Sequence, residues 1–375
     1  MKKIRVGVVG LGHRGRALMT LSSSFDCVEI AAACDIIPEN FYHKQWLSDL
    51  SMSEMFPNAA FYEDYDRMLE EANLDVVIVE TGADIHSLFC TKALEKNINV
   101  LTDIPVVANL KEAEVLWNTA EKSSAMISVG ANPNYQKFSV MLKDFFNKGL
   151  LGNPYCMEAE YIHWSEPSSS EDIHLNENGD WRKLLYPIRY CTHSLGPLLS
   201  ILEEELRYVS CFGTGMHADS SEYIGKEKDD MQCAQFRTES GVVIRIMRNG
   251  RCRAKIGHHN YRVFGTEGYI ERLCREKEEI RYNSYKELDT SSKVVGGEFM
   301  PPEYADNPKA VGHGGMDYAM LDYFYNAILN NKPAPVSLRE GLAMTLPGIY
   351  AEESAKRGGE LLKMYYPWDE EWSAE

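Results

Sequence analysis

The segment Gly10-Leu11-Gly12-His13-Arg14-Gly15 constrains the fold of this chain more than any other feature, because it joins an apolar run to a helix-compatible stretch. Three glycines at this spacing let the backbone turn tightly and approach a pyrophosphate, whose charge is met by the N-terminus of the following helix. A second apolar run ends at Asp35, 20 residues after Gly15, where a carboxylate would hydrogen-bond an adenosine ribose and repel a 2′-phosphate. The motif alone is a weak signal, but between a strand and a helix it predicts a dinucleotide site that prefers NAD.

Composition limits the partners and the compartment. The 375 residues carry a formal net charge of −17, which argues against nucleic acid and against an anionic membrane surface as partners. Nine cysteines without a C-x-x-C pair are typical of reduced thiols, so we expect a cytoplasmic protein with neither a disulfide framework nor a metal site. We also expect no membrane span, because no stretch approaches the roughly 18 consecutive apolar residues that a span requires.

The first 130 residues alternate between strand and helix patterns. Strand-like runs occupy residues 4–9, 28–34, 75–80, 98–102 and 126–130, and helical stretches occupy 64–72, 84–95 and 110–121. This alternation predicts an α/β domain over residues 1–130, a Rossmann fold with a doubly wound parallel sheet and helices on both faces. Ligands of such sheets bind beyond the carboxyl ends of the strands, so residues 10–15, 80–86 and 103–105 are candidate contacts.

The pattern changes after Gly130. Residues 138–147 are helical, and β-rich runs follow at 155–164, 206–213, 231–238, 241–248, 260–264 and 269–273. Their alternation predicts a large, mostly antiparallel, open sheet in an α+β domain over residues 131–375 that binds substrate and forms oligomers. Two polar stretches, 165–180 and 286–312, are predicted to be loops. Helices near 315–330 and 339–357 close the chain and are placed to pack back on the first domain.

Two tyrosine–histidine pairs are the candidates for chemistry. Tyr161 and His163 end a strand, where a period of two puts both side chains on one face. Tyr190 and His193 share a face if their segment is helical. Phenol and imidazole groups suit proton transfer near neutral pH. The alternative is that the tyrosines pack half-buried and the histidines satisfy backbone carbonyls.

Taken together, these features resemble the Gfo/Idh/MocA family of sugar-active, nicotinamide-dependent enzymes over nearly the whole chain. That family usually carries Glu-Lys-Pro where this chain has Asp103-Ile104-Pro105, and its lysine stands beside the substrate hydroxyl that is oxidised. This chain is more similar to the NAD-dependent glycosidases of family 109, which also have an apolar residue in place of the lysine. The shared motifs are Arg14-Gly15, the Tyr-x-His pair ending at His163, residues 190–197 with two substitutions, and residues 312–317.

The resemblance implies the residues of the site. The implied cofactor contacts are Gly10, Leu11, Gly12, His13, Arg14, Gly15, Asp35, Thr81, His86, Asp103, Ile104 and Asn132. The implied substrate contacts are Arg182, Cys191, Thr192 and Tyr261. The implied catalytic residues are Tyr161, His163, Tyr190 and His193.

The resemblance also implies a reaction on a carbohydrate. A pyranoside is oxidised at C3, loses its C1 substituent by elimination across C1–C2, adds water and is reduced again, so the two carboxylates of ordinary glycosidases are not required. We assign the Tyr190–His193 unit to the C3 hydroxyl, and Tyr161 with His163 to C2 and the leaving group. The family further implies a homodimer or homotetramer formed through the C-terminal sheet.

Three other interpretations of the residues stay open. The chain could be an ordinary NAD-dependent sugar or inositol dehydrogenase that uses His193 as its base. It could be an enzyme that stops after oxidation and elimination. It could also be a non-catalytic NAD-binding sensor, since the family's lysine is missing. The sequence does not name the sugar, its anomer or its aglycone.

Overall fold

A computed structural model describes residues 3–44, 49–163, 185–217, 229–250, 259–274 and 277–374. The N-terminal part is a six-stranded sheet in the order β3-β2-β1-β4-β5-β6, in which every neighbouring pair is parallel. Its strands are β1 (Ile4–Val9), β2 (Val28–Cys34), β3 (Ala60–Tyr62), β4 (Val76–Val79), β5 (Asn99–Thr102) and β6 (Ile127–Val129). This is the predicted doubly wound sheet, and its strand order reverses between β1 and β4.

Helices cover both faces of this sheet and explain why its central strands are apolar throughout. All four residues of β4 have no exposed surface, as expected of a parallel strand buried on two sides. The helices are α1 (His13–Ser22), α2 (Glu39–Tyr42), α3 (Met52–Met55), α4 (Tyr65–Glu71), α5 (His86–Glu95) and α6 (Leu110–Ala120). The three-residue edge strand β3 and the one-turn helices α2 and α3 were not predicted, because elements this short carry too little periodicity.

The C-terminal part is a nine-stranded sheet in the order β14-β13-β12-β11-β7-β10-β9-β8-β15. Its strands are β7 (Pro154–Ile162), β8 (Leu206–Gly213), β9 (Met231–Thr238), β10 (Val243–Asn249), β11 (His259–Gly265), β12 (Gly268–Cys274), β13 (Glu278–Ser284), β14 (Lys293–Gly296) and β15 (Leu362–Lys363). Only β7 and β10 pair in parallel within the described sheet, so the prediction of a mostly antiparallel sheet is confirmed.

The prediction that residues 286–312 form a loop is wrong in part. Residues 293–296 form β14 against β13, and residues 302–304 form a 3₁₀ turn. β13 and β14 escaped the sequence patterns because they bury few residues, only Ile280 and Ser284 in β13 and none in β14. The other predicted loop, 165–180, lies outside the described residues.

Four further helices join the two sheets: α7 (Lys137–Asn147), α8 (Thr192–Leu199), α9 (Met316–Leu329) and α10 (Leu338–Lys356). The end of the chain returns to the first sheet. The Val129 N–H donates to the Val336 carbonyl at 2.9 Å, and the Tyr325 hydroxyl donates to Ser22 at 2.8 Å. Residues before α9 and α10 are thereby brought to the carboxyl ends of β1, β5 and β6. None of the described helices is long and apolar enough to cross a membrane.

Candidate active site

The glycine-rich turn between β1 and α1 is a tight backbone cradle. Gly10 has a φ of +85°, and a Cβ there would lie 2.6 Å from the Glu80 carbonyl oxygen. A Cβ on Gly15 would lie 1.8 Å from the Gly10 carbonyl oxygen, so helix and strand approach as closely as glycine permits. A Cβ on Gly12 would meet no atom of the described residues within 4 Å. Gly12 is the N-cap of α1, so the open space lies at a helix N-terminus, a position that suits a pyrophosphate.

Asp35 is held at the end of β2 by two backbone donors. Its Oδ2 accepts from the Leu11 N–H at 2.6 Å, and its Oδ1 accepts from the Ile37 N–H at 2.8 Å. Each carboxylate oxygen keeps a second lone pair. The carboxylate is therefore oriented beside the cradle with capacity left for ribose hydroxyls.

A cluster of charged groups fills the crevice on the other side of the cradle; we call Arg14, Glu80, Asp103, His313 and Asp317 the crevice cluster. Arg14 donates from Nε to Asp103 at 3.0 Å and from Nη1 to Asp317 at 2.5 Å. His313 Nδ1 lies 2.7 Å from the same Asp317 oxygen. The carboxyl group of Glu80 lies near enough to Asp103 for the charge of Asp103 to disfavour ionisation of Glu80. Arg14 lies in the first turn of α1, Glu80 and Asp103 directly follow β4 and β5, and His313 and Asp317 lie on either side of the N-cap of α9.

Burial and mutual charge divide the carboxyl groups of this cluster into two kinds. Burial and the negative charge of Asp103 raise the pKa of Glu80 well above its ordinary value, although Arg14 opposes the shift. Burial also disfavours ionisation of Asp317, but Arg14 and His313 hold the pKa of Asp317 well below its usual range. Burial likewise disfavours the charge on Arg14, yet Asp103 and Asp317 raise the pKa of Arg14 above its ordinary value. Ionisation of Glu80 is thus disfavoured, whereas Asp317 is ionised beside a permanent guanidinium.

A left-handed turn before α9 directs Asp317 at Arg14. Residues 312–315 have φ values of +83°, +44°, +67° and +91°, and three of the four are glycine. A Cβ on Gly312 would lie 2.7 Å from an Asp317 carboxylate oxygen. Since left-handed backbone favours glycine, the Gly312–Asp317 motif is explained by the approach of this turn to the crevice.

Two of the predicted cofactor contacts, Asn132 and His86, hold the loops at the crevice. Asn132 is buried, and its Nδ2 donates to Asp317 at 2.9 Å. His86 is 2% exposed, and its two ring nitrogens lie 2.9 Å from the Thr81 carbonyl and 3.1 Å from the Pro105 carbonyl. Ile104 is also 2% exposed. The side chains of Asn132 and His86 thus contact protein groups, and His13 is exposed at the first position of α1.

The two tyrosine–histidine pairs come together with a further histidine; we call Tyr161, His163, Tyr190, His193 and His259 the aromatic cluster. The Tyr161 ring centroid lies 5.4 Å from that of His163, 6.2 Å from Tyr190, 5.1 Å from His193 and 4.3 Å from His259. The Tyr190 and His193 rings are 4.5 Å apart, since a 3₁₀ turn ending at Tyr190 leads directly into α8. Five proton donors or acceptors therefore lie in one group.

A row of residues across three strands supports this cluster. In the register of the sheet, Tyr161 on β7 lies between Arg248 on β10 and His259 on β11. Directly opposite residues of neighbouring strands place their side chains on the same face. The Arg248 guanidinium carbon lies 4.3 Å from the Tyr161 ring centroid and 5.7 Å from that of Tyr190. A buried cation thus borders both tyrosines.

Three of the predicted substrate contacts lie beneath the aromatic cluster. Cys191, Thr192 and Tyr261 are each at most 1% exposed. The Tyr261 hydroxyl donates to the His193 carbonyl at 2.8 Å, and its ring stacks on Phe138 at 4.9 Å. Tyr261 therefore positions the backbone of His193. The fourth predicted contact, Arg182, lies outside the described residues.

Sequence reasoning included Glu80 only as the first residue of the candidate range 80–86, and it missed Arg248 and Arg272. Arg272 has no exposed surface, and it donates to the Gly297 carbonyl at 3.0 Å and to the His259 carbonyl. A signal for both arginines was present: Arg248 follows buried Ile244 and Ile246 at the inward positions of β10, and Arg272 follows Ile270 on β12. A charge at an inward strand position is uncommon unless it is paired or functional.

Phe299 joins the two clusters. Its ring meets that of His259 edge-on, with the ring centroids 5.7 Å apart. A Cβ added to Gly314 would lie 2.8 Å from the Cβ of Phe299. One side chain therefore separates the left-handed turn of the crevice cluster from the aromatic cluster. The geometry is that of a single site, with a dinucleotide cradle on one side and groups suited to proton transfer on the other.

Comparison with known proteins agrees with this geometry. Residues 4–131 match the Gfo/Idh/MocA model, described as "Oxidoreductase family, NAD-binding Rossmann fold". An alpha-N-acetylgalactosaminidase of Shewanella oneidensis is 23% identical over 390 residues, covering 94% of this chain and 83% of its own. A family 109 glycosyl hydrolase of Bacteroides fragilis is 28% identical over 363 residues, covering 85% of this chain and 75% of its own.

A solved structure shares the fold along the whole chain. An oxidoreductase from Agrobacterium radiobacter, in complex with NAD+, L-tartaric acid and magnesium, has a TM-score of 0.75 at 14% identity and covers 96% of this chain and 98% of its own. At that identity the likeness concerns the fold alone. Residues 4–131 thus match the NAD-binding Rossmann domain of the Gfo/Idh/MocA oxidoreductase family, and over most of its length the chain is similar to the family 109 glycosyl hydrolases.

Proposed function

We propose that this chain is a carbohydrate-active enzyme that cleaves a glycoside by transient oxidation at C3, elimination across C1–C2, addition of water and reduction at C3. The observation that carries the proposal is the convergence of Tyr161, Tyr190, His193 and His259 beside a dinucleotide cradle. A dehydrogenase needs one base at the oxidised hydroxyl, whereas a glycosidase of this kind needs further groups at C2 and at the leaving oxygen. The similarity to family 109 over most of the chain supports the same conclusion.

The residues that would hold NAD are those of the cradle and its borders. The N–H groups at the start of α1 would meet the pyrophosphate, and Asp35 would accept hydrogen bonds from the adenosine ribose. When bound, the dinucleotide accepts a hydride from a substrate carbon and later returns it. Ile104 stands where the family's lysine would be, so the proton at the oxidised hydroxyl has to be taken by another group.

We assign that proton to the Tyr190–His193 unit. Their rings are 4.5 Å apart, and the Tyr261 hydroxyl fixes the backbone of His193. Tyr161 and His163 then exchange the C2 proton and protonate the leaving oxygen. Arg248 lies over the Tyr161 and Tyr190 rings, and attraction of its guanidinium to their faces helps to hold both rings in place. Proton transfer by positioned groups contributes roughly 10²- to 10⁴-fold each, so the pairs are the main determinants of rate.

The first experiment tests a panel of aryl glycosides with purified protein and no added nicotinamide cofactor. We expect release of the aryl alcohol and free sugar over many turnovers without net NADH. NADH that accumulates in proportion to a keto product would favour the ordinary dehydrogenase. A bound dinucleotide with no turnover of any glycoside or free sugar would favour the sensor.

A His193→Ala substitution tests the residue assignment. We expect turnover to fall by at least about a hundredfold, while NAD still binds, because the cradle lies in the other sheet. Tyr285→Ala is the matched aromatic control, since Tyr285 is 73% exposed at a strand end. Full activity in the His193 variant would remove this residue from the mechanism.

We further propose that the outer face of the nine-stranded sheet pairs with a second copy of this chain. That face carries ion pairs of Glu158 with Arg245 at 3.1 Å and with Arg262 at 2.9 Å. It also exposes Phe212. Alternating charges and exposed rings can be self-complementary about a twofold axis. Sedimentation equilibrium, with an Arg245→Glu variant that inverts one charge, distinguishes a homodimer or homotetramer from a monomer.

A further inference from the structure

His259 is the one member of the aromatic cluster that has no role in the proposed reaction. It begins β11 and is 7% exposed. Its ring lies nearly parallel to those of Tyr161 and His193, with centroid distances of 4.3 Å and 5.7 Å. The register of the sheet places Arg248 and His259 on opposite sides of Tyr161. His259 therefore lies within the group of rings assigned to proton transfer, directly beside Tyr161.

The hydrogen bonds of Tyr261 determine which nitrogen of His259 carries a hydrogen. The Tyr261 hydroxyl has one hydrogen, and it donates that hydrogen to the His193 carbonyl at 2.8 Å, since a carbonyl oxygen can only accept. The same hydroxyl oxygen lies 3.3 Å from Nδ1 of His259. Because its own hydrogen is already used, the hydroxyl accepts at this second contact, and Nδ1 of His259 has to be the donor.

Nδ1 keeps this hydrogen whether His259 is neutral or protonated. The imidazolium ion carries a hydrogen on both nitrogens, and of the two neutral tautomers the contact with Tyr261 selects the one with its hydrogen on Nδ1. Burial raises the pKa of Tyr261, so its hydroxyl stays protonated at neutral pH and the contact persists. Nε2 is therefore the nitrogen that gains and loses a proton. A histidine whose other nitrogen is oriented by a third group has the arrangement of a general base.

Buried groups hold His259 at the border between the two clusters. Arg272 has no exposed surface, and it donates to the His259 carbonyl and, at 3.0 Å, to the Gly297 carbonyl. The Phe299 ring centroid lies 4.4 Å from the Arg272 guanidinium carbon, and the ring meets that of His259 edge-on. Because Phe299 separates the aromatic cluster from the crevice cluster, these contacts place His259 between Tyr161 and the cofactor side of the site.

We propose that His259 is a further acid–base residue, and that its Nε2 takes the C2 proton of the substrate. This assignment rests on the proposed function. In its neutral form His259 offers a lone pair at Nε2, and removal of the C2 proton requires an acceptor, whereas the leaving oxygen at C1 requires a donor.

The proton transfers balance over one turnover. As the C1 substituent leaves, the electron pair of the C2–H bond forms the C1–C2 double bond and Nε2 takes the proton. Tyr161 with His163 protonates the leaving oxygen, so the role of this pair narrows to that atom. The water that adds gives its hydroxyl to C1 and its proton to the Tyr161–His163 pair, while Nε2 returns a proton to C2.

The substitution His259→Ala tests this role by separating two steps of one reaction. Parent and variant are loaded with NAD and mixed in D₂O with an aryl glycoside that the parent cleaves. We expect bound NADH to form in the variant at close to the parent rate, because oxidation at C3 does not use His259. Exchange of deuterium into C2, measured by NMR, should fall by at least about a hundredfold together with release of the aryl alcohol. An equal loss of NADH formation, or undiminished exchange at C2, would overturn the proposal.

Added imidazole distinguishes an acid–base role from packing. Imidazole should restore part of the C2 exchange that His259→Ala loses, whereas pyrazole, a ring of the same shape and a much weaker base, should not. Equal restoration by the two rings would show that His259 only packs against Tyr161, and this result would also overturn the proposal.

The tautomer of His259 is measured without turnover, by nitrogen NMR of the full-length protein with isotopically labelled histidine. The signals of His259 are those that His259→Gln lacks. At about pH 8 we expect a hydrogen on Nδ1 and none on Nε2, and loss of this preference in Tyr261→Phe. A neutral ring with its hydrogen on Nε2 would overturn the proposal even if His259→Ala failed to fold. The expected tautomer in a parent chain that cleaves no glycoside would instead contradict the proposed function, and the assignment to C2 with it.

Discussion

The crevice cluster and the aromatic cluster lie on either side of Phe299 and are built by different physical means. The crevice cluster joins loop residues at the ends of parallel strands, and ion pairs with Arg14 hold its carboxylates. The aromatic cluster follows the register of β10, β7 and β11, and stacked rings over buried Arg248 hold it. The first depends on backbone conformations that favour glycine, and the second depends on side-chain packing.

This difference assigns cofactor binding to the crevice side of the site and proton transfer to the aromatic cluster. Fixed charges and backbone N–H groups suit a cofactor whose charge and shape are constant between substrates. Neutral, ionisable rings suit protons that have to move during a turnover. We therefore expect backbone substitutions to affect cofactor binding and stability, and ring substitutions to affect turnover with little effect on cofactor binding.

The largest effect is expected from Gly15→Ala. The new Cβ would lie 1.8 Å from the Gly10 carbonyl oxygen, so α1 has to move away from β1. We expect the free energy of unfolding to fall by about 3 kcal/mol and NAD binding to be lost, as measured by thermal unfolding and titration calorimetry. Gly12→Ala is the matched control, because a Cβ there meets no described atom within 4 Å. It should leave the melting temperature of the cofactor-free protein nearly unchanged; equal losses in both variants would contradict this account.

A smaller effect is expected from Tyr261→Phe, beneath the aromatic cluster. The substitution keeps the ring stacked on Phe138 but removes the hydrogen bond to the His193 carbonyl. We expect kcat to fall by about tenfold through the altered position of His193, with KM and the NAD dissociation constant unchanged. Loss of the hydrogen bond should cost about 1 kcal/mol of stability. A rise in KM with unchanged kcat would instead indicate direct contact of Tyr261 with substrate.

The smallest effect concerns the pH dependence of His86, which joins the loops after β4 and β5. Burial lowers the pKa of His86, so the unfolded chain binds its proton more readily than the folded chain. Titration of His86 therefore does not change the free energy of unfolding at high pH. As the pH falls below about 6.5, the imidazole pKa in the unfolded chain, protonation of the unfolded chain lowers that free energy. The free energy of unfolding, measured in urea between about pH 8 and pH 5, should decline by up to about 1.4 kcal/mol per pH unit more steeply than in His86→Gln. Parallel profiles for the two proteins would contradict the assignment.

Much of the cofactor side could be predicted from the sequence, because it depends on local order. The glycine spacing, the apolar strands and Asp35 are each determined by neighbours in the chain. The family match over residues 4–131 and the six-stranded parallel sheet confirm the predicted fold. The Tyr–His pairs were found for the same reason, since two- and three-residue spacings define a shared face.

The contacts between the parts could not be predicted, because they depend on long-range packing. Arg14 and Asp317 are 303 residues apart in the chain, and the left-handed turn that joins them is visible in the sequence only as three glycines. Arg248 and His259 become neighbours of Tyr161 through strand register alone. Burial of Tyr261 also depends on where α7 packs, which a single sequence does not determine.

The most direct test of the proposed reaction is glycoside cleavage in D₂O, with the product sugar analysed by NMR. Elimination across C1–C2 exchanges the C2 hydrogen with solvent before water adds, so the account predicts deuterium at C2 and hydrogen from the parent glycoside at C3. Product that carries no deuterium at C2 would contradict elimination by the aromatic cluster.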